Sequence, residues 1–109
     1  MSAQIPAYVI SEVEILDETI ADRYRTLASA SIELFGGRYI VRGGPVELIE
    51  GERNAAQRFV VVEFPSMERA HEWYRSPDYA EALKVRNAGA LTRTLVFVPG
   101  VVSGVGAER

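Results

Sequence analysis

Two charged residues interrupt segments of this sequence that are otherwise typical of apolar β-strands. Arg42 ends the short run 38–42, and Glu63 lies near the end of the apolar run 58–64. A charge in an apolar strand is costly unless it is paired or bound to a ligand. Arg42 could therefore hold an anionic or carbonyl group while Glu63 acts as acceptor or base. The alternatives are a structural salt bridge between them, or two charges that reach solvent at strand ends.

Three aromatic residues lie close together around a predicted helix break, namely Trp73, Tyr74 and Tyr79. They could line a pocket in which a tyrosine hydroxyl bonds a substrate, or they could pack two helices onto a sheet. Core packing is the expected role of Trp73. Tyr74 and Tyr79 remain candidates for substrate binding, because each hydroxyl needs a partner if it is buried.

Two further side chains are candidate contacts for a substrate. Arg86 follows Tyr79 by seven residues, a spacing that places both on one helix face. Arg86 could complete a pocket with Tyr79, form a surface pair with Asp78 or Glu81, or simply be solvated. Tyr39 lies in the same predicted strand as Arg42 and is the fourth candidate for substrate binding.

Several kinds of catalytic site find no support in the sequence. There are no cysteines, which excludes disulfides, thiolate catalysis and cysteine-ligated metals. The single histidine, His71, lies off the apolar stripe of its predicted helix and is expected to be exposed. The pairs Gly36-Gly37 and Gly43-Gly44 flank a strand and lack the spacing of a nucleotide-binding loop. We therefore expect no cofactor and no metal.

The composition limits the partners of this chain. It has 109 residues, the length of one domain, with 48% hydrophobic and 25% charged residues. The net charge of −3, with basic residues scattered among acidic ones, gives no basis for nucleic-acid binding. No segment approaches the length of a membrane helix, and the N-terminus does not resemble a signal peptide. We expect no membrane partner and a cytoplasmic location.

The predicted elements follow the order β-α-β-(β)-β-α-α-β. Strands are predicted at residues 7–15, 38–42, 58–64 and 91–98, with a short additional strand at 46–50. Asp17 is the expected N-cap of the first helix, and Gly36-Gly37 ends it. Its apolar residues at helical spacing are Ile20, Tyr24, Leu27 and Leu34.

Ser66 and Ser76 are the expected N-caps of the second and third helices, with Pro77 at the first position of the third. Right-handed crossovers make this order the ferredoxin-like α+β plan, a split β-α-β with helices on one face of an antiparallel sheet. The domain is expected to span residues 1–98. The Gly-rich remainder, 99–109, resembles a tail, although Val101, Val102 and Val105 could dock on the domain.

The face of the sheet away from the helices also carries apolar residues. We assign to this face Tyr8, Ile10, Phe59, Val61, Leu95 and Phe97. An apolar sheet face is expected to be covered by another protein surface, and a second copy of the same sheet is the simplest such partner. The sequence therefore predicts a homodimer with a barrel-like interior.

Three segments together resemble a family known as domain of unknown function 1330. They are Gly-Gly-Arg-Tyr-Ile-Val-Arg-Gly-Gly (36–44), Val-Val-Val-Glu-Phe-Pro-Ser (60–66) and Ala-His-Glu-Trp-Tyr-Arg-Ser-Pro-Asp-Tyr (70–79). With Arg86, the resemblance covers about residues 5–98. It implies the ferredoxin-like fold and the homodimer of the dimeric α/β-barrel superfamily. It implies no activity, because that superfamily includes monooxygenases, haem-degrading enzymes, isomerases, cyclases and ligand-binding regulators.

Three functions are consistent with these features. The first is a cofactor-independent isomerase, cyclase or monooxygenase acting on a small carbonyl or aromatic compound, with Arg42 stabilising an oxyanion. The second is a non-catalytic dimer that binds a small molecule or is associated with stress. The third is a filled dimer interface without a pocket. A cavity lined by Arg42 and Glu63 would favour the enzyme.

Overall fold

A computed structural model describes residues 5–101, which form one four-stranded antiparallel sheet with helices on one face. The strands are β1 Ala7–Ile15, β2 Arg38–Arg42, β3 Arg58–Phe64 and β4 Leu91–Pro99. The helices are α1 Glu18–Leu34, α2 Met67–Arg75 and α3 Pro77–Val85, followed by a π-helical turn at Arg86–Ala90. The strand order β2-β3-β1-β4, with every neighbouring pair antiparallel, is that of a split β-α-β fold. The predicted α+β class is confirmed.

Each helix begins at the predicted cap. Asp17 Oδ1 accepts a hydrogen bond from the Ile20 amide at 3.0 Å, and Ser66 Oγ accepts one from the Arg69 amide at 3.1 Å. Ser76 separates α2 from α3: its Oγ accepts from the Tyr79 amide at 3.1 Å and donates to the Trp73 carbonyl at 2.8 Å. These bonds satisfy backbone groups that a helix end leaves unpaired.

The π-helical turn ties the end of the helical layer to the beginning of α1. Gly89 has φ +102°, a conformation that glycine adopts at little cost. The following Ala90 carbonyl accepts hydrogen bonds from the amides of Leu16 and Asp17 at 3.0 and 3.2 Å. As a result, β4 starts beside the junction of β1 and α1.

Alternation along β1 separates the two faces of the sheet. Residues Ala7, Val9, Ser11 and Val13 are buried under the helices, and the residues between them belong to the opposite face, here called the open face. Cross-strand partners share a face.

Because Phe97 pairs with Val9 and Leu95 pairs with Ser11, both lie on the helix face. The assignment of Leu95 and Phe97 to the open face is wrong. Val96 and Val98 occupy that face instead, 50% and 40% exposed.

Two further segments differ from the sequence-based prediction: residues 46–50 and the end of α1. Residues 46–50 form no strand, and Leu48 and Ile49 are 50% and 78% exposed; Pro45, just before them, has no amide to donate to a ladder. Leu34 is 60% exposed because the buried stripe of α1 runs elsewhere around the helix, through Ala21, Tyr24, Ala28, Ser31 and Ile32.

The end of the described chain remains attached to the sheet. Strand β4 runs to Pro99, one residue past the predicted limit, and the Gly100 amide donates to the Pro6 carbonyl at 2.8 Å. The rest of the predicted tail, including Val102 and Val105, lies outside the described residues. Within residues 5–101, no helix combines the length and apolar character required to cross a bilayer.

Gly37 lies in a tightly packed connection between α1 and β2. A Cβ at this position would lie 2.7 Å from Phe64 Cε1 and 2.8 Å from Ile32 Cγ2, both in the core. We expect Gly37→Ala to lower the free energy of unfolding by about 1–3 kcal/mol, the usual cost of overpacking.

Gly44→Ala is the matched control, since no described atom lies within 4 Å of a Cβ built there and φ is not positive. Urea unfolding should show Gly44→Ala unchanged or up to about 1 kcal/mol more stable. Equal losses in the two variants would contradict the packing described for Gly37.

Candidate functional site

A cavity of about 630 Å³ lies between the helix face of the sheet and α1. Its floor consists of alternate residues of the two central strands, which are Val9, Ser11, Val13, Val60 and Val62. Tyr24 of α1, Trp73 of α2 and Arg93 of β4 also line it. The volume falls in the range of small-molecule sites, and an apolar floor with a few polar groups is their usual composition.

Three side chains at one end of this cavity form a hydrogen-bonded group, here called the inner cluster: Tyr24, Tyr79 and Arg93. The two tyrosine hydroxyl oxygens are 2.6 Å apart. Arg93 Nη1 donates to the Tyr24 hydroxyl at 2.9 Å, and Nη2 donates to the Tyr79 hydroxyl. Arg93 pairs across the sheet with Val13, so its side chain lies on the helix face, where a core residue would normally be apolar.

The guanidinium of Arg93 has no anionic partner within residues 5–101. It forms no ion pair there, and its Nε atom is buried without a hydrogen-bond acceptor in the same part of the chain. A buried cation that touches only neutral hydroxyls is under-compensated, because such groups are normally paired or bound to a ligand. The cluster is therefore suited to bind an oxygen anion or a carbonyl oxygen by donating hydrogen bonds to it.

The protonation states of the inner cluster make it a donor. Burial raises the pKa of Tyr24 well above its usual value, and the nearby Tyr79 oxygen adds to this effect while Arg93 opposes it. Burial alone would lower the pKa of Arg93, but its contacts with the tyrosine oxygens outweigh burial and raise it. At neutral pH the cluster presents the Arg93 cation and the Tyr24 phenol proton, groups that stabilise developing negative charge.

Arg42 and Tyr39 lie at the opposite end of the cavity, on its exposed side. The guanidinium of Arg42 lies 4.2 Å from the centre of the Tyr39 ring, and Arg42 Nη2 donates to Ser29 Oγ at 3.4 Å. The Tyr39 hydroxyl is 3.2 Å from the same Ser29 oxygen. Arg58 at the start of β3 is also exposed and lines this end. We call Arg42 and Arg58 the mouth of the cavity.

A β-bulge decides which face Arg42 occupies. Tyr39 pairs with Val62, but Val41 already pairs with Val61, so Ile40 is an extra residue in β2. Without it, Arg38 and Arg42 would share a face, because they are four residues apart. With it, Arg38 lies on the open face and Arg42 on the helix face.

The structure therefore does not bring Arg42 and Glu63 together, and the two residues form no salt bridge with each other. Glu63 lies on the open face, where it accepts from Arg38 Nε at 2.8 Å and from the Tyr8 hydroxyl at 3.2 Å. The sheet itself separates the Glu63 carboxylate from the cavity and from Arg42.

The remaining predicted site residues divide between cavity and surface. Tyr79 belongs to the inner cluster. Tyr74 does not line the cavity; it is 39% exposed and packs against Trp73 and Phe97. Arg86 is not brought to Tyr79, since it donates through Nε and Nη2 to Asn87 Oδ1 at the π-helical turn.

The other predictions concern packing and exposure. Trp73 is 2% exposed and packs against Phe64 and Tyr79, which confirms its core role. His71 is exposed, as predicted. In the part of the chain that the structure describes, no three histidine, aspartate or glutamate side chains lie close enough to hold a metal ion.

Sequence reasoning missed Arg93 and the polar role of Tyr24. The signal for Arg93 is its position between Leu91 and Leu95, in the alternate row that faces the helices. Ser31 carries a similar signal within the apolar stripe of α1: its Oγ accepts from Trp73 Nε1 at 2.9 Å. A polar residue inside an apolar row marks a side chain that needs a partner.

The raised pKa of Tyr24 predicts a loss of stability at alkaline pH. The unfolded chain releases the Tyr24 proton near pH 10.0, whereas the folded chain retains it. Stability therefore falls as pH rises above about 10, at up to about 1.4 kcal/mol per pH unit for this group. We expect urea unfolding of Tyr24→Phe to show a shallower alkaline decline than wild type. Identical slopes in wild type and Tyr24→Phe would contradict the burial of Tyr24.

Solved structures share this fold at low sequence identity. A protein of unknown function from Rhodopseudomonas palustris has a TM-score of 0.72 and 22% identity, over 91% of this chain and 85% of that chain. SnoaB, a cofactor-independent oxygenase from Streptomyces nogalater, has a TM-score of 0.63 and 8% identity, over 93% and 98%. A dimeric protein of unknown function with a ferredoxin-like fold from Bacteroides fragilis has a TM-score of 0.58 and 14% identity, over 84% and 93%.

These identities support a common fold and nothing more specific. A comparison with curated proteins gives no significant match. At the level of sequence, the family described as "Domain of unknown function (DUF1330)" matches residues 6–101, nearly the whole described chain. The resemblance found in the sequence is confirmed, and this chain belongs to the DUF1330 family.

Proposed function

We propose that this chain binds a small apolar compound through a carbonyl or anionic oxygen and converts it without a cofactor. The observation that carries the proposal is Arg93, a largely buried cation that lines the cavity and has no carboxylate partner among the described residues. In this proposal Arg93 and Tyr24 donate to the oxygen of the bound molecule. Tyr79 holds both of them in place, and Arg42 and Tyr39 contact the outer end of the ligand.

The chemistry follows from what such a donor group does to an acidic compound. A buried guanidinium stabilises an enolate or phenolate more than the neutral form, because only the anion forms an ion pair with the cation in addition to the hydrogen bond. Transfer of a proton from one carbon to a carboxylate that lines the cavity, Glu14 or Glu18, and its return to a different carbon is an isomerisation. The electron pair of the broken C–H bond stays in the enolate and forms the new C–H bond. SnoaB, which shares the fold, is described as a cofactor-independent oxygenase, a chemistry that also needs no bound cofactor.

One observation favours a second function, binding without turnover. Within residues 5–101, neither a histidine nor a carboxylate is hydrogen-bonded to the inner cluster. A general base must reach the proton that it removes. The cavity of a binding module would keep Arg93 as an anchor and would need no base.

Both functions require the inner cluster to bind an oxygen anion, and 4-nitrophenol tests this directly. Its anion absorbs visible light, so titration with and without excess protein reports its pKa. A charge-assisted hydrogen bond is worth about 1.5–3 kcal/mol, so we expect the pKa of the bound phenol to fall by about 1–2 units.

Arg93→Met should abolish this shift. Because an apolar side chain of similar size replaces a buried cation, Arg93→Met should be as stable as wild type or more so. Arg23→Gln, at an exposed position on α1, should keep the full shift. An unchanged pKa for 4-nitrophenol bound to wild type, or the same shift in folded Arg93→Met, would exclude the anion site.

We also propose that the open face forms a homodimer interface. The residues Val96, Ile10, Val61 and Val41 form one apolar row across all four strands of this face. Val41 and Val96 are 43% and 50% exposed in the single chain. An apolar face of this kind is typical of a protein contact, and the neighbour from Bacteroides fragilis is described as dimeric.

Val96→Lys tests the dimer without disturbing the core of one subunit. A lysine in the interface would bury a charge without a partner, at a cost of several kcal/mol. We expect sedimentation equilibrium to give a dimer for wild type and a monomer for Val96→Lys at micromolar concentration. Leu34→Lys, at a residue 60% exposed on the helical side, should remain dimeric. A monomeric wild type, or a dimeric Val96→Lys, would contradict this interface.

A further inference from the structure

The mouth of the cavity carries two arginines without carboxylate partners in the described chain. Arg42 contacts Tyr39 and Ser29, and Arg58 forms no ion pair within residues 5–101. The other outer arginine that lines the cavity, Arg25, is neutralised by Glu18 and Asp22 on its own helix. Two carboxylates, Glu14 and Glu18, also line the cavity, but neither is paired with Arg42 or Arg58 in the described chain. The mouth therefore presents two cations without an ion-pair partner in a chain whose net charge is −3.

The sheet register gives the separation between the mouth and the inner cluster. Arg58 and Arg93 both pair with Val13, from opposite sides, so the three residues form one row on the helix face. Neighbouring strands lie about 4.8 Å apart, which places the Cα atoms of Arg58 and Arg93 about 10 Å apart. Arg42 pairs with Val60, two residues from Arg58, and so lies diagonally across from it.

Between these two cationic ends the cavity floor is apolar except for Ser11. The valines of β1 and β3 supply flat aliphatic surface, and Ser11 Oγ is already engaged as a donor to the Val60 carbonyl at 3.4 Å. A ligand that reaches from the inner cluster to the mouth has an apolar body about one ring long, and its two ends lie near the arginines.

We infer that the ligand is a small apolar acid, with a carboxylate at the mouth and an ionisable hydroxyl or carbonyl oxygen at the inner cluster. An aromatic hydroxy acid or an apolar keto acid has this chemistry. The inference rests on the proposed function, since it assumes that the inner cluster binds the second oxygen. It adds that Arg42 and Arg58 determine specificity by selecting for the carboxylate.

A matched pair of probes tests the mouth separately from the inner cluster: 4-hydroxy-3-nitrobenzoate and the neutral 4-hydroxy-3-nitrobenzamide. Both carry the nitrophenol whose absorbance reports the inner end. We expect the acid to bind wild type at least about tenfold more tightly than the amide. This preference should weaken as salt is raised, because the mouth is exposed and its charges are screened.

The double variant Arg42→Gln/Arg58→Gln should reduce the preference to less than about twofold while amide affinity stays within about threefold of wild type. Both residues are exposed, so the fold should be retained. Arg23→Gln/Arg75→Gln removes the same charge from exposed positions outside the cavity and should keep the preference.

Equal binding of acid and amide by wild type, with the phenol pKa still lowered, would overturn the carboxylate site and leave the proposed function standing. A preference that survives in Arg42→Gln/Arg58→Gln would also overturn it. If neither probe binds and 4-nitrophenol shows no pKa shift, the inference and the proposed function both fail.

Discussion

The hydrogen bonds from Arg93 to Tyr24 and Tyr79 are the contact on which the rest of the cavity depends. They join the edge strand β4, the long helix α1 and the short helix α3 at one point. The hydroxyl pair also fixes the spacing between the two helices, because each phenol has its ring packed in the core. Without Arg93, the hydroxyls of Tyr24 and Tyr79 would be hydrogen-bonded only to each other in the described chain. Without either hydroxyl, Arg93 would lose one of its two side-chain hydrogen-bond partners there.

This arrangement is a poor choice for stability alone. Burying a guanidinium against neutral oxygens costs hydration that two hydrogen bonds do not fully replace, and an apolar side chain of similar volume would avoid that cost. The core does not lack apolar residues, since Leu91, Leu95 and Phe97 occupy the same face of β4. The proposed ligand explains the charge at position 93 better than the requirements of the fold do.

Local chemistry made most of the fold predictable from the sequence. The caps Asp17, Ser66 and Ser76, together with the glycines after α1, determine where the helices begin and end. The site was harder to predict because the face that each strand residue occupies depends on how the strands pair, and the sequence does not give that pairing. The pairing of β4 with β1 placed Leu95 and Phe97 under the helices, and it placed Arg93 there too. The extra residue at Ile40 moved Arg42 away from Glu63, and no composition or periodicity reveals such a bulge.

The bulge at Ile40 also makes chain length, as well as side-chain identity, a determinant of which charges this edge strand places on each face of the sheet. One added residue lets a five-residue strand present Arg38 to one side of the sheet and Arg42 to the other. Deleting that residue would restore simple alternation and place both arginines on the same face of the sheet. A one-residue gap in this strand would therefore redistribute positive charge between the two faces of the sheet in a single step, with both arginines retained.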